Sequence, residues 1–248
     1  MLLAINIGNT HINCGVFKEG RLRRHYTFSV DEKNYDRLVN RIADRKEIDA
    51  AILCSVLPRS TERLVRQLKK RLGKKVYVIT RDILVPIKNL YKKPKRLGQD
   101  RLVNAYAGVA LYGAPLIVVD FGTAITFDVV SKNKEYLGGI IVPGAQVSLD
   151  ALAERAALLP KITLKAPGSL IGRDTEAGML SGIVYGLAAL TDCFASKIKK
   201  VIGNNARVVA TGGDSVLLSR YAKSLDVIDT TLTLKGLNLA YLMNLSRL

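Results

Sequence analysis

The chain carries one pattern twice. Residues 4–28, AINIGNTHINCGVFKEGRLRRHYTF, lie over residues 118–142, VVDFGTAITFDVVSKNKEYLGGIIV, and in each an apolar run ends in Asn or Asp, one further residue, then Gly. A short polar turn follows, then a second apolar run, Ile12–Phe17 or Ile125–Val130. A second polar turn, KEGR or KNKE, leads into a third run. Short apolar runs broken by turn chemistry read as hairpins, so each copy predicts three antiparallel strands. A unit of this size that recurs once commits the chain to two similar halves.

After each triplet the pattern changes to alternating helix and strand. The first half predicts a helix over 34–45, a strand over 50–55, a helix over 60–72 and a strand over 75–80. The second predicts helices near 149–158, 175–201 and 215–221, and a strand over 207–211. The fold class is therefore α/β, in two lobes. Residues 1–110 form the expected first lobe and residues 111–248 the second, with a helix over 98–111 joining them. Two similar lobes facing each other predict a cleft into which both hairpin turns point.

Composition narrows the class. With 48% hydrophobic residues the 248-residue chain has material for a sizeable core. No apolar run approaches the roughly 18 residues of a membrane span, and the amino terminus has no basic stretch leading to a cleavage site, so a cytoplasmic protein without membrane contact is expected. Cys14, Cys54 and Cys193 are odd in number and far apart, which argues against a disulfide framework. His11 and Cys14 have no second His/Cys pair, so any metal must be held by oxygen. The net charge of +17 attracts anions. Its clusters, KKRLGKK at 69–75, KKPKR at 92–96 and KIKK at 197–200, lack interleaved aromatics, so they read as solvated helix faces and loop ends, and nucleic acid is not the expected partner.

Four stretches carry chemistry. In DFGTAITFD, Asp120 ends an apolar strand as a cation ligand would, and Gly122 lets backbone approach a ligand that Thr123 can bond. In LGQDRLVNAYAG, Asp100 and Arg101 fall in the first turn of a helix opening after Gly98. An acid there favours the helix dipole; beside Arg101 it also suits a base that takes a proton from a hydroxyl while the cation holds an anion. VVATGGD runs a strand into Gly212-Gly213, where backbone could lie flat against a nucleotide. In PGSLIGRDTEAG, Thr175 is the expected cap of the long helix. Gly178, Gly182 and Gly186 on that helix read as a packing stripe.

Taken in order, INIGNTH, YKKPKRLGQDR, VVDFGTAITFDVV, YLGGIIVPG, the LP at 159–160, IGRDT and ATGGD make the chain resemble the type III pantothenate kinases. More distantly it resembles the acetate kinase, sugar kinase, Hsp70 and actin superfamily. The resemblance implies two ribonuclease H-like lobes of the actin-like ATPase fold, a homodimer, and ATP-dependent phosphorylation of pantothenate, the first step of coenzyme A synthesis. It makes Asp100 the general base and Tyr91, Gly98, Gln99, Asp100, Arg101 and Thr175 the pantothenate-binding residues. Asn6, Ile7, Gly8, Asn9, Thr10, His11, Ile12 and Asn13 resemble the first phosphate loop, and Thr123 a second phosphate contact. Asp120 resembles the acid that binds a monovalent cation, potassium or ammonium, beside the magnesium that accompanies ATP.

One position departs. The family carries Asp where this chain has Asn6, and the internal repeat agrees, because Asn6 falls on Asp120. An amide keeps the shape and one oxygen but loses the charge, which weakens a magnesium position without abolishing it. Three alternatives follow: an active kinase, an active-site mutant, or a family member that binds ligand without turnover, acting as a transcriptional accessory protein. A hydrolase of the same superfamily fold would need neither Tyr91 nor Thr175.

Overall fold

The computed structural model describes residues 1–30 and 47–245, without the side chains of residues 58–60. The helix expected over 34–45 lies outside the described residues. The chain forms two compact units, one of Met1–Ile87, Lys92–Ala107 and Leu232–Leu248, the other of Lys88–Tyr91 and Gly108–Thr231.

In the first unit the expected triplet is present: β1 (Leu2–Ile7), β2 (His11–Lys18) and β3 (Arg21–Ser29), paired antiparallel. The KEGR turn is the two-residue form, with Glu19 and Gly20 both at positive φ, 52° and 75°, the backbone that matches strand twist. β4 (Ala50–Ser55) pairs parallel with β1, and β5 (Lys75–Val78) parallel with β4, so the order is β3-β2-β1-β4-β5. The crossover is α1 (Pro58–Leu72), opened by proline in its first turn and closed by Gly73 at φ 60°. Leu64, Val65 and Leu68 of α1 pack on Leu3, Ile5, Ile7, Cys14 and Leu53. Each such fully buried Leu or Ile contributes about 1.5–3 kcal/mol.

The second unit holds β6 (Lys88–Asn89) and the end of α2 (Gln99–Tyr112). The second triplet follows: β7 (Leu116–Phe121), β8 (Ala124–Val130) and β9 (Glu135–Pro143). Then come α3 (Ala145–Arg155), α4 (Thr175–Ile202), β10 (Arg207–Thr211), α5 (Ser215–Leu218) and β11 (Val227–Ile228). The sheet order is β11-β10-β7-β8-β9-β6. By length and composition α4 could cross a membrane. Its Val184, Leu187, Ala195 and Ile198, however, pack with Ile117, Val119, Phe127 and Val208 of the sheet, as a core helix does. The glycine stripe is not the packing surface expected of it. Gly178, Gly182 and Gly186 are exposed, and a Cβ built on any of them meets nothing within 4 Å.

The last helix, α6 (Leu232–Asn244), returns to the first unit and covers the other face of β1, β2 and β4. Sequence division at residue 110 assigns this stretch to the second half. Gly236 permits the packing, since a Cβ there would stand 2.7 Å from both Cγ1 and the carbonyl oxygen of Val103.

Candidate functional site

The first hairpin turn is narrow. Asn6 pairs with Asn13 and Ile7 with Ile12 across β1 and β2. Gly8 N–H donates to the His11 carbonyl at 2.9 Å, and Asn9, Thr10 and His11 are exposed at the tip. The Thr10 hydroxyl lies 3.0 Å from His11 Nδ1, and Asn13 Oδ1 accepts from Thr27 at 2.9 Å. Asn6 Oδ1 is buried with no hydrogen-bond partner. A buried acceptor left unsatisfied costs roughly 1–3 kcal/mol, so such a group at a turn of this kind calls for a ligand.

Asp100 reaches the same end of this sheet. Asn6 stands opposite Cys54 in the parallel pairing of β1 and β4, which puts the two side chains on one face. The Cys54 thiol is held well above its ordinary value, first by burial and then by the charge of Asp100. Asn6 and Asp100 thus both lie near Cys54. Asp100 stands in the first turn of α2, and its Oδ1 accepts from the N–H of Arg101 at 2.9 Å. Gly98 makes room for that carboxylate, because a Cβ there would lie 2.6 Å from Asp100 Oδ1. Burial raises the Asp100 carboxyl above its usual 3.8, against the opposing pull of the Arg101 N–H and guanidinium. Arg101 itself is buried. The neighbouring Gln99 donates to the Leu97 carbonyl at 3.1 Å and leaves its own Oε1 buried without a partner. The first unit thus gathers a carboxylate with raised proton affinity, a buried cation and two unsatisfied amide oxygens at the ends of β1, β4 and α2.

The second unit builds a different cluster around the second hairpin. Asp120 lies opposite Thr126 on β8 and Thr211 on β10. Gly212, at φ 92°, lets β10 close over this point: a Cβ there would stand 2.4 Å from Asp120 Oδ1 and 2.5 Å from the Phe121 carbonyl oxygen. Gly144 does the same from the other side, 2.1 Å from the Gly122 carbonyl oxygen and 2.6 Å from that of Thr123, and its N–H donates to the latter at 3.0 Å. The tip carrying Gly122 and Thr123 is clamped between two glycines. Gly212 is used by packing, while Gly213 opens onto free space.

Tyr91 and Thr175 stand elsewhere in that unit. The Tyr91 ring lies over Gly138, whose Cβ would be 3.6 Å from it, and tilts against Tyr136 with centroids 6.3 Å apart. Thr175 is exposed in the first turn of α4 and is not its cap. The cap is Asp174, whose Oδ1 accepts from Ala177 N–H at 2.7 Å. Sequence reading left Gly144, Asp128 and Tyr136 without a role. The first is visible only when α3 is seen folding back on the hairpin, and the last two only when the β9 register is known.

Among the described residues no three His, Cys, Asp or Glu side chains cluster as metal ligands. The donors present fit a cation whose remaining ligands come from phosphate oxygens and water.

The sequence model of the family described as type III pantothenate kinase matches residues 2–197. Among solved structures, a protein assigned to the Baf family of transcriptional activators from Campylobacter jejuni aligns at TM-score 0.62. It is 20% identical, and the alignment covers 98% of this chain and 99% of that one. A protein assigned as an N-acetylmannosamine kinase from Listeria monocytogenes aligns at 0.57, with 10% identity over 98% and 99%. Component A of the Acidaminococcus fermentans (R)-2-hydroxyglutaryl-CoA dehydratase aligns at 0.52, with 14% identity over 98% and 96%. These likenesses show the fold, that of the actin-like ATPases and sugar kinases.

Proposed function

Because the chain belongs to the type III pantothenate kinase family, we propose that it transfers the terminal phosphoryl group of ATP to the hydroxyl of pantothenate. The observation that carries this reading is Asp100, a carboxylate held above its usual proton affinity by burial and placed beside a buried arginine. Phosphoryl transfer asks little covalent chemistry of a protein; it asks for a positioned nucleophile and for charge stabilisation.

In this reading Asp100 accepts the proton of the pantothenate hydroxyl as the new P–O bond forms. Its raised proton affinity makes it a better base than an exposed carboxylate. Arg101 holds the substrate's anionic end, and Gly98, Gln99, Tyr91 and Thr175 complete the substrate contacts. Residues Asn6 to Asn13 offer backbone N–H groups and the Thr10 hydroxyl to the phosphates, and Thr123 offers a second hydroxyl. The unsatisfied Asn6 Oδ1 is the acceptor that a magnesium-bound water would need, and Asp120 supplies the charge for a potassium or ammonium ion. Bound cations neutralise the phosphates during transfer. The enzyme is cytoplasmic and a homodimer in this reading. The exposed face of α4 along Gly178, Gly182 and Gly186, with room for a neighbour, supports a second copy.

Asn6 favours one further reading, a family member that binds the same ligands with slow or no turnover and serves as an accessory protein. Phosphopantothenate formation by the purified chain with ATP, magnesium and potassium separates the two. Turnover on the order of 1–10³ s⁻¹ supports the kinase. If product is absent, Asn6→Asp is the second measurement. Recovery of turnover identifies a kinase silenced at its metal position, and continued silence supports the accessory role. In an active kinase, Asn6→Asp is expected to lower the magnesium concentration needed for half-maximal rate by roughly tenfold, since hard cations favour carboxylates.

A further inference from the structure

Asp128 is fully buried and takes no part in the chemistry above. It lies on β8 two residues after Thr126, so the two side chains share a face of the sheet, and Thr126 stands opposite Asp120 on β7. Asp128 Oδ2 accepts from the Thr126 hydroxyl at 3.1 Å. Asp128 Oδ1 accepts from the Tyr136 hydroxyl at 2.8 Å. Among the described residues Tyr136 is the largest fully buried side chain, and it is the ring against which Tyr91 tilts. The sheet therefore carries a line of neighbours from the strand end at Asp120 to the Tyr91 ring: Asp120 opposite Thr126, then Asp128, Tyr136 and Tyr91.

A buried carboxylate is costly unless its oxygens are bonded, and a packed apolar pair would fill this place at least as well. What the carboxylate adds is direction. Its two hydrogen bonds tie the Thr126 rotor on one side to the Tyr136 hydroxyl on the other. Tyr91 lies over Gly138 and against the Tyr136 ring, so the setting of Tyr136 bears on that of Tyr91.

We propose that Asp128 is a positioning residue that couples the Asp120 hairpin tip to the substrate-facing Tyr91 through Thr126 and Tyr136. The inference rests on the kinase reading for the roles of Asp120 and Tyr91, while the coupling itself stands on the sheet geometry. Occupation of the tip by a monovalent cation then changes the setting of Tyr91, and the change passes through Asp128.

The test uses the full-length chain labelled with 3-fluorotyrosine, with the Tyr91 resonance assigned from its loss in Tyr91→Phe. The probe is potassium chloride, with choline chloride at the same ionic strength as control. Potassium is expected to shift the Tyr91 resonance in the parent chain and to leave it unmoved in Asp128→Asn and in Tyr136→Phe. Both variants must retain the parent's far-ultraviolet circular dichroism; Thr126→Val, which keeps the carboxylate and its bond to Tyr136, replaces either one that does not. A potassium shift of equal size in the folded variants overturns the proposal, and so does a Tyr91 resonance in the parent that ignores potassium. Where pantothenate is turned over, the variants are expected to raise KM for pantothenate about tenfold and to leave KM for ATP within about twofold. A parallel rise in both overturns the positioning role. Failure of the parent to phosphorylate pantothenate would bear on the kinase reading and leaves the resonance test decisive for the coupling.

Discussion

Asp100 is held in a state that suits chemistry at some expense to stability. A carboxyl whose folded value is raised binds its proton more tightly folded than unfolded. Its effect on stability is therefore most favourable below the ordinary carboxylate value and is lost as pH rises through the raised folded value. Asp100→Asn removes that liability, and its expected signature has two parts. Turnover falls by roughly 10²–10⁴, as for a lost general base. The melting temperature at pH 8 rises by a few degrees, and the gain narrows as pH falls toward about 4. A calorimetric series across pH, run beside the kinase assay, checks both, and unchanged turnover would remove Asp100 from the mechanism. Asp120 carries the complementary expectation. Asp120→Asn is expected to abolish stimulation of the rate by potassium or ammonium, and a variant still stimulated would place the cation elsewhere.

At the scale of elements, the hairpins were legible and the packing between elements was not. Both triplets and the strand over 207–211 follow from short apolar runs bounded by Gly-containing turns, a local signal that tertiary contacts reinforced. Helix α6 was illegible because it is apolar nearly all round and has Gly236 at its middle, which reads as a breaker and is in fact where the helix meets Val103. The two-residue strands β6 and β11 exist only through pairing with distant partners. Asn6, Asp100 and Asp120 were legible as single residues. That Asn6 and Cys54 share a sheet face, with Asp100 near Cys54, was not, since it depends on the β1–β4 register and on where α2 begins. The cap of α4 was misplaced by one residue, because Asp174 and Thr175 are both good caps and only backbone geometry chooses between them. That choice makes a clean experiment. Asp174→Ala is expected to cost about 1 kcal/mol of stability, while Thr175→Ala, which removes no cap, leaves denaturant midpoints unchanged and raises KM for pantothenate. Urea unfolding of the two variants reads the first difference and steady-state kinetics the second.

The whole molecule is dominated by its charge of +17. On α1 the exposed Arg66, Lys69 and Lys70 look into solvent, and the last turn gains from the charge of Lys69 and Lys70 at the helix carboxyl end. Such a field gathers polyanions without selecting among them. Binding of ATP to a site built from backbone groups is expected to weaken by less than tenfold between 50 and 200 mM salt. Duplex DNA held through six or more phosphates would weaken by ~10³ or more over that range. Anisotropy titrations of a labelled nucleotide and a labelled duplex at both salt concentrations compare them. Submicromolar duplex binding that survives 200 mM salt would give the basic clusters a specific partner.

Helix α6 also sets an order of events during synthesis. The ribosome delivers β1 to β5 first, then residues 88–231, which hold the whole second unit, and only afterwards the helix that roofs the open face of the first sheet. A nascent chain that ends at Thr231 already contains every residue assigned a role in the chemistry, yet the face of its first sheet that carries Gly15 still lacks Leu234 and the helix around it. The half that is made first is finished last.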